Sequence, residues 1–152
     1  MLRTLGRRLC SSSSTTAALP RKVNLAAAFS KINEPWSPHI AGVVNDTDLR
    51  LAKLRGEFVW HHHENEDECF MVVKGKLRMQ FRDGDVDCDE GELIVVPRGV
   101  EHCPLSLSEE TLVLLVEQSS VLNTGSAADS LGDHVHEEGS VPLTKSTLNR
   151  ID

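Results

Sequence analysis

GEFVWHHHENEDECFMVVKG, residues 56–75, is the stretch that decides the fold. In a β-strand successive side chains point to opposite faces. On an extended segment His61 and His63 therefore share one face and His62 takes the other. Glu68 comes five residues after His63, across the polar, acidic link of residues 64–67. It opens an apolar run, residues 69–73, that is expected to form the next strand. Two imidazoles and a carboxylate sent from adjacent strands toward one point make a ligand set for a divalent metal ion.

A second stretch, GELIVVPRGVEH at residues 91–102, completes the set. Residues 93–96 are fully apolar, as expected of a strand covered on both faces. A Pro97-Arg98-Gly99 turn follows, and His102 begins another strand. Taken together, the two stretches resemble the paired motifs of the cupin superfamily. Gly56, His61, His63, Glu68 and Gly75 occupy the positions of the first motif, with the gap from Gly56 to His61 one residue shorter than usual. Gly91, Pro97, Gly99 and His102 occupy those of the second, with Ser106 where the family often has Asn. The 15 residues 76–90 between the motifs match the shortest single-barrel members, and the resemblance covers residues 24–120. It implies an all-β chain: a single cupin jelly-roll barrel (double-stranded β-helix) with a short N-terminal helix and an irregular C-terminal tail. It also makes His61, His63, Glu68 and His102 the metal ligands.

A length of 152 residues suits one domain. The formal charge of −7, with no basic patch in the body, argues against nucleic acid. The longest uninterrupted aliphatic run, residues 112–116, is far too short to span a bilayer. Cys10, Cys69, Cys88 and Cys103 form no C-x-x-C pair, and the last three fall in expected strands. They read as reduced thiols in a reducing compartment.

Residues 1–22 differ from the rest. They carry Arg3, Arg7, Arg8, Arg21 and Lys22, and the first acid is Glu34. On a helix Leu2, Leu5 and Leu9 share a face, and a Ser/Thr run follows them. An Arg-rich, Ser-rich, acid-free amphipathic segment is expected to be a mitochondrial transit peptide; a plastid leader and a plain tail are the alternatives, the latter leaving the protein cytoplasmic. Arg8 stands three residues before Ser11, a spacing that resembles mitochondrial processing sites. Removing residues 1–22 leaves 11 basic against 23 acidic residues. The expected divisions are therefore a leader at 1–22, a barrel domain at 23–118 and a tail at 119–152.

Within the body, Asn24 is expected to cap a short helix over residues 25–32. Strands are expected at 39–44 and 49–55, with a turn at Asn45-Asp46-Thr47-Asp48. Leu77, Met79 and Phe81 alternate with polar residues, and Asp83-Gly84 signals a hairpin leading to an acidic edge at 85–90. Residues 111–117 form the last expected strand. In the tail, His134-Val135-His136 repeats the His-x-His theme but lacks flanking strands and glycines, so it is expected to be a solvated loop.

Neutral imidazole and carboxylate donors suit one divalent transition metal: Fe, Mn, Ni, Co or Zn. In octahedral geometry four protein ligands leave two adjacent positions open for water, a bidentate substrate or dioxygen. Val59, Met79 and Phe81 are expected to bound the space beside the ion. Arg98 either meets an anionic substrate at the mouth or is a solvated turn residue. His62 and Cys103 face away. The family resemblance allows a dioxygenase-like or a sugar-isomerase-like enzyme, and the motif strands lack the cationic cluster that a phosphosugar would need. A non-catalytic cupin that binds metal or a small ligand is the alternative. The expected partners are a small-molecule ligand or substrate and, as an option, a second copy of the chain in a homodimer.

Overall fold

The computed structural model describes residues 19–127 and 150–151. Most of the expected leader, Cys10 and the His134-Val135-His136 segment lie outside the described residues. The elements run α1 (Leu25–Phe29), β1 (His39–Val44), β2 (Thr47–Leu54), β3 (Glu68–Lys74), β4 (Leu77–Phe81), β5 (Gly84–Cys88), β6 (Leu93–Val96), β7 (His102–Ser106) and β8 (Thr111–Gln118), then a short 3-10 turn, Gly125–Ala127. The strands form two antiparallel sheets, β1-β2-β8-β3-β6 and β5-β4-β7. Side chains of both sheets, among them Leu54, Phe70, Val72 and Val113 from one and Leu77, Met79 and Cys88 from the other, meet in one apolar core. This is the expected all-β jelly-roll architecture with a short N-terminal helix.

Register places the site. Asp48 pairs with Glu117, Arg50 with Leu115 and Ala52 with Val113, while Phe70 pairs with Leu115 and Val72 with Val113. Paired residues share a sheet face, and this face turns inward. Its lower part is apolar and its upper part carries Glu68, Glu117, Arg50 and Asp48, all buried. The polar end of the interior is therefore built into the strand pattern. Gly75 closes the β3–β4 turn at φ +89°, and a Cβ there would stand 2.9 Å from the Glu110 carbonyl. That position therefore needs glycine.

Two expectations change. The helix ends at Phe29 rather than at residue 32. Asn24 caps it as expected, its Oδ1 accepting from the Ala27 N–H at 3.0 Å, but Ser30 Oγ donates to the Ala27 carbonyl and closes the last turn early. Residues 93–96 are not covered on both faces. Among the described residues they form an edge strand paired with β3 alone, with Leu93 59% and Val95 53% exposed and Val96 buried. An unbroken apolar run does not say whether a strand is central or at an edge, because that depends on distant pairing. The described part of the tail is irregular, apart from the 3-10 turn, and wraps the barrel. Residues 119–127 lie against the barrel with Val121 and Thr124 buried, and Ile151 joins Ala28, Phe29, Ile32 and Leu51 in a second cluster outside the large sheet. Arg21 Nη2 donates to the Ile151 carbonyl.

Candidate metal centre

His102 is the first residue of β7 and Glu68 the first of β3. His61 and His63 were expected on a regular strand, and the structure corrects this. His61 forms an isolated bridge with His102, N–H to carbonyl in both directions at 3.0 and 2.8 Å. The only other bridge of this segment to β7 is Glu57 with Leu105. Between the two bridges one side has an extra residue, and opposite it stands Pro104, which accepts from the Phe58 N–H but has no N–H to return. The ladder is broken there for that reason. Beyond the bridge His63 is held by its own carbonyl, which accepts from the Gly99 N–H at 2.7 Å. The glycine of the second motif thus anchors the last histidine of the first.

The structure brings His61, His63, Glu68 and His102 together. All four are buried, and one ligand atom from each lies within 4.8 Å of the others. An ion with bonds of about 2.1 Å would set its octahedral donors roughly 3.0 to 4.2 Å apart, so the spacing fits an ion. Glu68 Oε2 stands 3.2 Å from His63 Nε2 and 3.4 Å from His102 Nε2. Those contacts are within ion-pair range but none is aligned as a hydrogen bond, and all three atoms are buried without a partner. Buried polar atoms are rarely left so. His61 Nδ1 and His102 Nδ1 each lie 2.9 Å from a carbonyl two residues back, of Val59 and Val100. Donation there leaves each Nε2 with its lone pair toward the cluster, the tautomer that a metal ligand requires. Burial, helped by the neighbouring His102, brings His61 down to about 4, so it is neutral at pH 7. Burial alone would raise the Glu68 carboxyl; the facing imidazoles of His102 and His63 bring it to about 2 instead. At pH 7 a neutral His61 and an ionised Glu68 thus face His63 and His102 in a dry setting.

A second buried cluster lies beside it. Arg50, fully buried, donates from Nη1 to Glu117 Oε1 at 2.9 Å and to Asn123 Oδ1 at 3.2 Å, and from Nη2 to Asp48 Oδ2 at 2.9 Å. Ser119 Oγ donates to the other oxygen of Asp48. Burial raises the Glu117 carboxyl well above its usual range and the Glu68 charge adds to this, against the pull of Arg50. The chain after β8 then crosses to the histidine segment. Ser126 N–H donates to the His62 carbonyl at 2.9 Å, and Ser126 Oγ accepts from the His62 N–H at 3.1 Å. Gly125 sits at φ +45°, where a Cβ would lie 2.2 Å from that carbonyl. Residues 119–127 are therefore a strap fitted closely over the ligand-bearing loop.

Between the strap and the donors is a cleft of about 30 Å³, lined by Trp36, Phe58, Phe70 and Leu115 with His61, Glu68 and Asn123 as its polar members. That volume holds about one or two waters. The residues expected to bound this space are placed elsewhere. Met79 is fully buried in the core and Phe81 packs against that core. Val59 contributes its carbonyl to His61 rather than a cleft wall. Arg98 is exposed on its turn, 3.3 Å from Asp67. β4 lies in the smaller sheet, whose inward side chains fill the core below the donors. Cys103 Sγ donates to the Phe58 carbonyl, and burial raises the thiol to about 11, so it is no nucleophile. Trp36 and Asn123 sit in irregular segments and carry no periodic signal. Trp36, at φ 58°, stacks on Phe58 at 4.7 Å.

The family described as "Cupin domain" matches residues 49–116. The uncharacterized protein YdbB of Bacillus subtilis is 34% identical over 80 residues, covering 52% of this chain and 71% of that protein. An acireductone dioxygenase of Gluconacetobacter diazotrophicus is 35% identical over 97 residues, 60% of this chain, and the chain spans 52% of that protein's length. The crystal structure of a cupin-2 domain containing protein from Shewanella frigidimarina superposes with a TM-score of 0.61 at 41% identity, covering 63% of this chain and 93% of that one. With two spaced motifs, two facing antiparallel sheets and these relatives in agreement, the chain belongs to the cupin superfamily.

Proposed function

We propose that this cupin is a mononuclear metal enzyme that acts on a small, largely apolar molecule, with dioxygenase-like chemistry favoured over sugar isomerisation. One observation carries the reading: four buried donors converge while His63 Nε2, His102 Nε2 and Glu68 Oε2 lack partners. A divalent Fe, Mn, Ni, Co or Zn ion supplies a Lewis-acid or redox centre when bound there. The chain's own residues do the rest. His61, His63, Glu68 and His102 hold the ion, and the Val59 and Val100 carbonyls orient two of the imidazoles. Trp36, Phe58, Phe70 and Leu115 exclude water and give an apolar body a surface to lie on. A sugar phosphate would need cations at the cleft, and among the described residues its lining includes no Lys or Arg. The acireductone dioxygenase similarity favours oxygen chemistry, although this chain spans only half of that protein. A metal-binding cupin without turnover is the second reading, favoured by how little free space the cleft holds.

The test is metal analysis of protein purified without oxygen, followed by oxygen-uptake assays on carbonyl and enol substrates. One equivalent of metal with substrate-dependent uptake is expected. Stoichiometric metal with no turnover on any substrate would favour the binding role. Residues 1–22 are further proposed to be a mitochondrial leader; N-terminal sequencing of protein from the cell should find Met1 gone, and an intact Met1 in the cytosol would remove that idea.

A further inference from the structure

The cleft has a polar residue that the ligand set does not account for. Asn123 lies on the strap, outside both motifs, and lines the cleft with His61 and Glu68. Its Oδ1 accepts from Arg50 Nη1. Arg50 is a cation with no acceptor to offer, so the amide is locked with its oxygen toward Arg50 and its NH2 as the free end. Asn123 is half-buried, so the amide is open to the cleft that it lines. An amide fixed in this way can only donate, and what it donates to must carry a lone pair.

The charge balance narrows the choice. A divalent ion with Glu68 as its single anion leaves a net +1. In the adjoining cluster Arg50 pairs with both Asp48 and Glu117 at 2.9 Å, so its charge is already met within the fold. The walls between are aromatic and aliphatic. We propose that Asn123 is the specificity-determining donor of the site and that its ligand is a small monoanion with an apolar body, a 2-oxo carboxylate or an enolate. One oxygen of the ligand meets the ion and another accepts from Asn123 Nδ2. Arg50 is the positioning residue that sets the amide's orientation. This inference rests on the metal-binding reading above.

Cobalt(II) and pyruvate test it without any turnover. Cobalt is titrated into the full chain and followed by its visible ligand-field band; pyruvate is then titrated into the loaded protein. Pyruvate is expected to perturb the band. Asn123→Ala should weaken pyruvate binding about tenfold, the size of one hydrogen bond, while the cobalt affinity stays as in the wild type. Asn123→Asp keeps the shape and the acceptor for Arg50 but loses the donor, so it should weaken pyruvate at least as much. Unchanged pyruvate affinity in both variants overturns the proposal, as does a cobalt band that pyruvate never perturbs. Failure of the wild type to take up cobalt strikes the metal-binding reading itself, and the inference falls with it.

Discussion

Two groups of buried polar side chains share the upper interior of the barrel, and they differ in how they are satisfied. Around Arg50 the charged groups meet partners: Asp48, Glu117 and the Oδ1 of Asn123 accept from it and Ser119 closes on Asp48, while Glu117 Oε2 is a buried atom left without one. Around Glu68 three donor atoms face one another, each buried without a hydrogen-bond partner. A paired cluster offsets its own desolvation and belongs to the fold. An unpaired one is stable only in a protein that gains something by binding at that point. The contrast fits a structural role for Arg50 and the proposed ligand role for Glu68, although both are buried and charged.

The largest effect expected from this comparison comes from the paired side. Arg50→Met strips the cation from two buried carboxylates, and urea unfolding should show a loss of about 3 to 5 kcal/mol. A loss under about 1 kcal/mol would mean that the network is not what holds β2 and β8 to the strap. On the unpaired side, Glu68→Gln should leave a cooperative fold, with a smaller stability change than Arg50→Met, but reduce zinc or cobalt affinity by more than about 100-fold. Isothermal titration distinguishes the two, and unaltered affinity would break the assignment of Glu68.

Acid should act on the same side. His61 titrates near 4 when folded against 6.5 for the free side chain. The unfolded chain therefore binds more protons between those values. The stability due to His61 is complete above pH 6.5 and is lost as the pH falls to 4, an interval worth roughly 3 kcal/mol or less. Glu68 adds a loss of the same sign as the pH falls from 4.5 toward 2. Thermal melts of metal-free protein should show this slope, and a flat profile from pH 7 to 4 would contradict the burial of His61. The smallest effect is at Arg98, exposed and remote from the cleft. Arg98→Ala should change stability by less than about 0.5 kcal/mol and leave metal affinity alone; a clear loss of ligand binding would return Arg98 to the site.

The donors were legible in the sequence because glycines and spacing fix them locally. Gly75 and Gly99 stand where the backbone needs them, and the two-residue period of an extended chain puts His61 and His63 together. The Arg50 network was not legible. Asp48 and Arg50 alternate with Leu49 and Leu51, which ordinarily signals a polar outer face and an apolar inner one. Here the polar face turns inward and Leu51 is covered from outside by α1. Alternation gives two faces but not which is inside, and the partner Glu117 lies 67 residues away. The exposed Leu93 and Val95 misled for the same reason. The cleft walls were misplaced because Trp36 and Asn123 come from connections, where no period exists to read.

The strap gives the chain a division of labour along its length. The family match ends at residue 116, and by then His61, His63, Glu68 and His102 have all been supplied. Asn123, Thr124 and Gly125 come afterwards, in fewer than ten residues beyond β8. Substitutions there can retune what reaches the centre without touching the centre itself, apart from Gly125, which the His62 carbonyl fixes as glycine. On the role proposed for Asn123, proteins that share the motifs would diverge in ligand choice through a short, separable stretch, and a census of that stretch would sort them by ligand better than the motifs can.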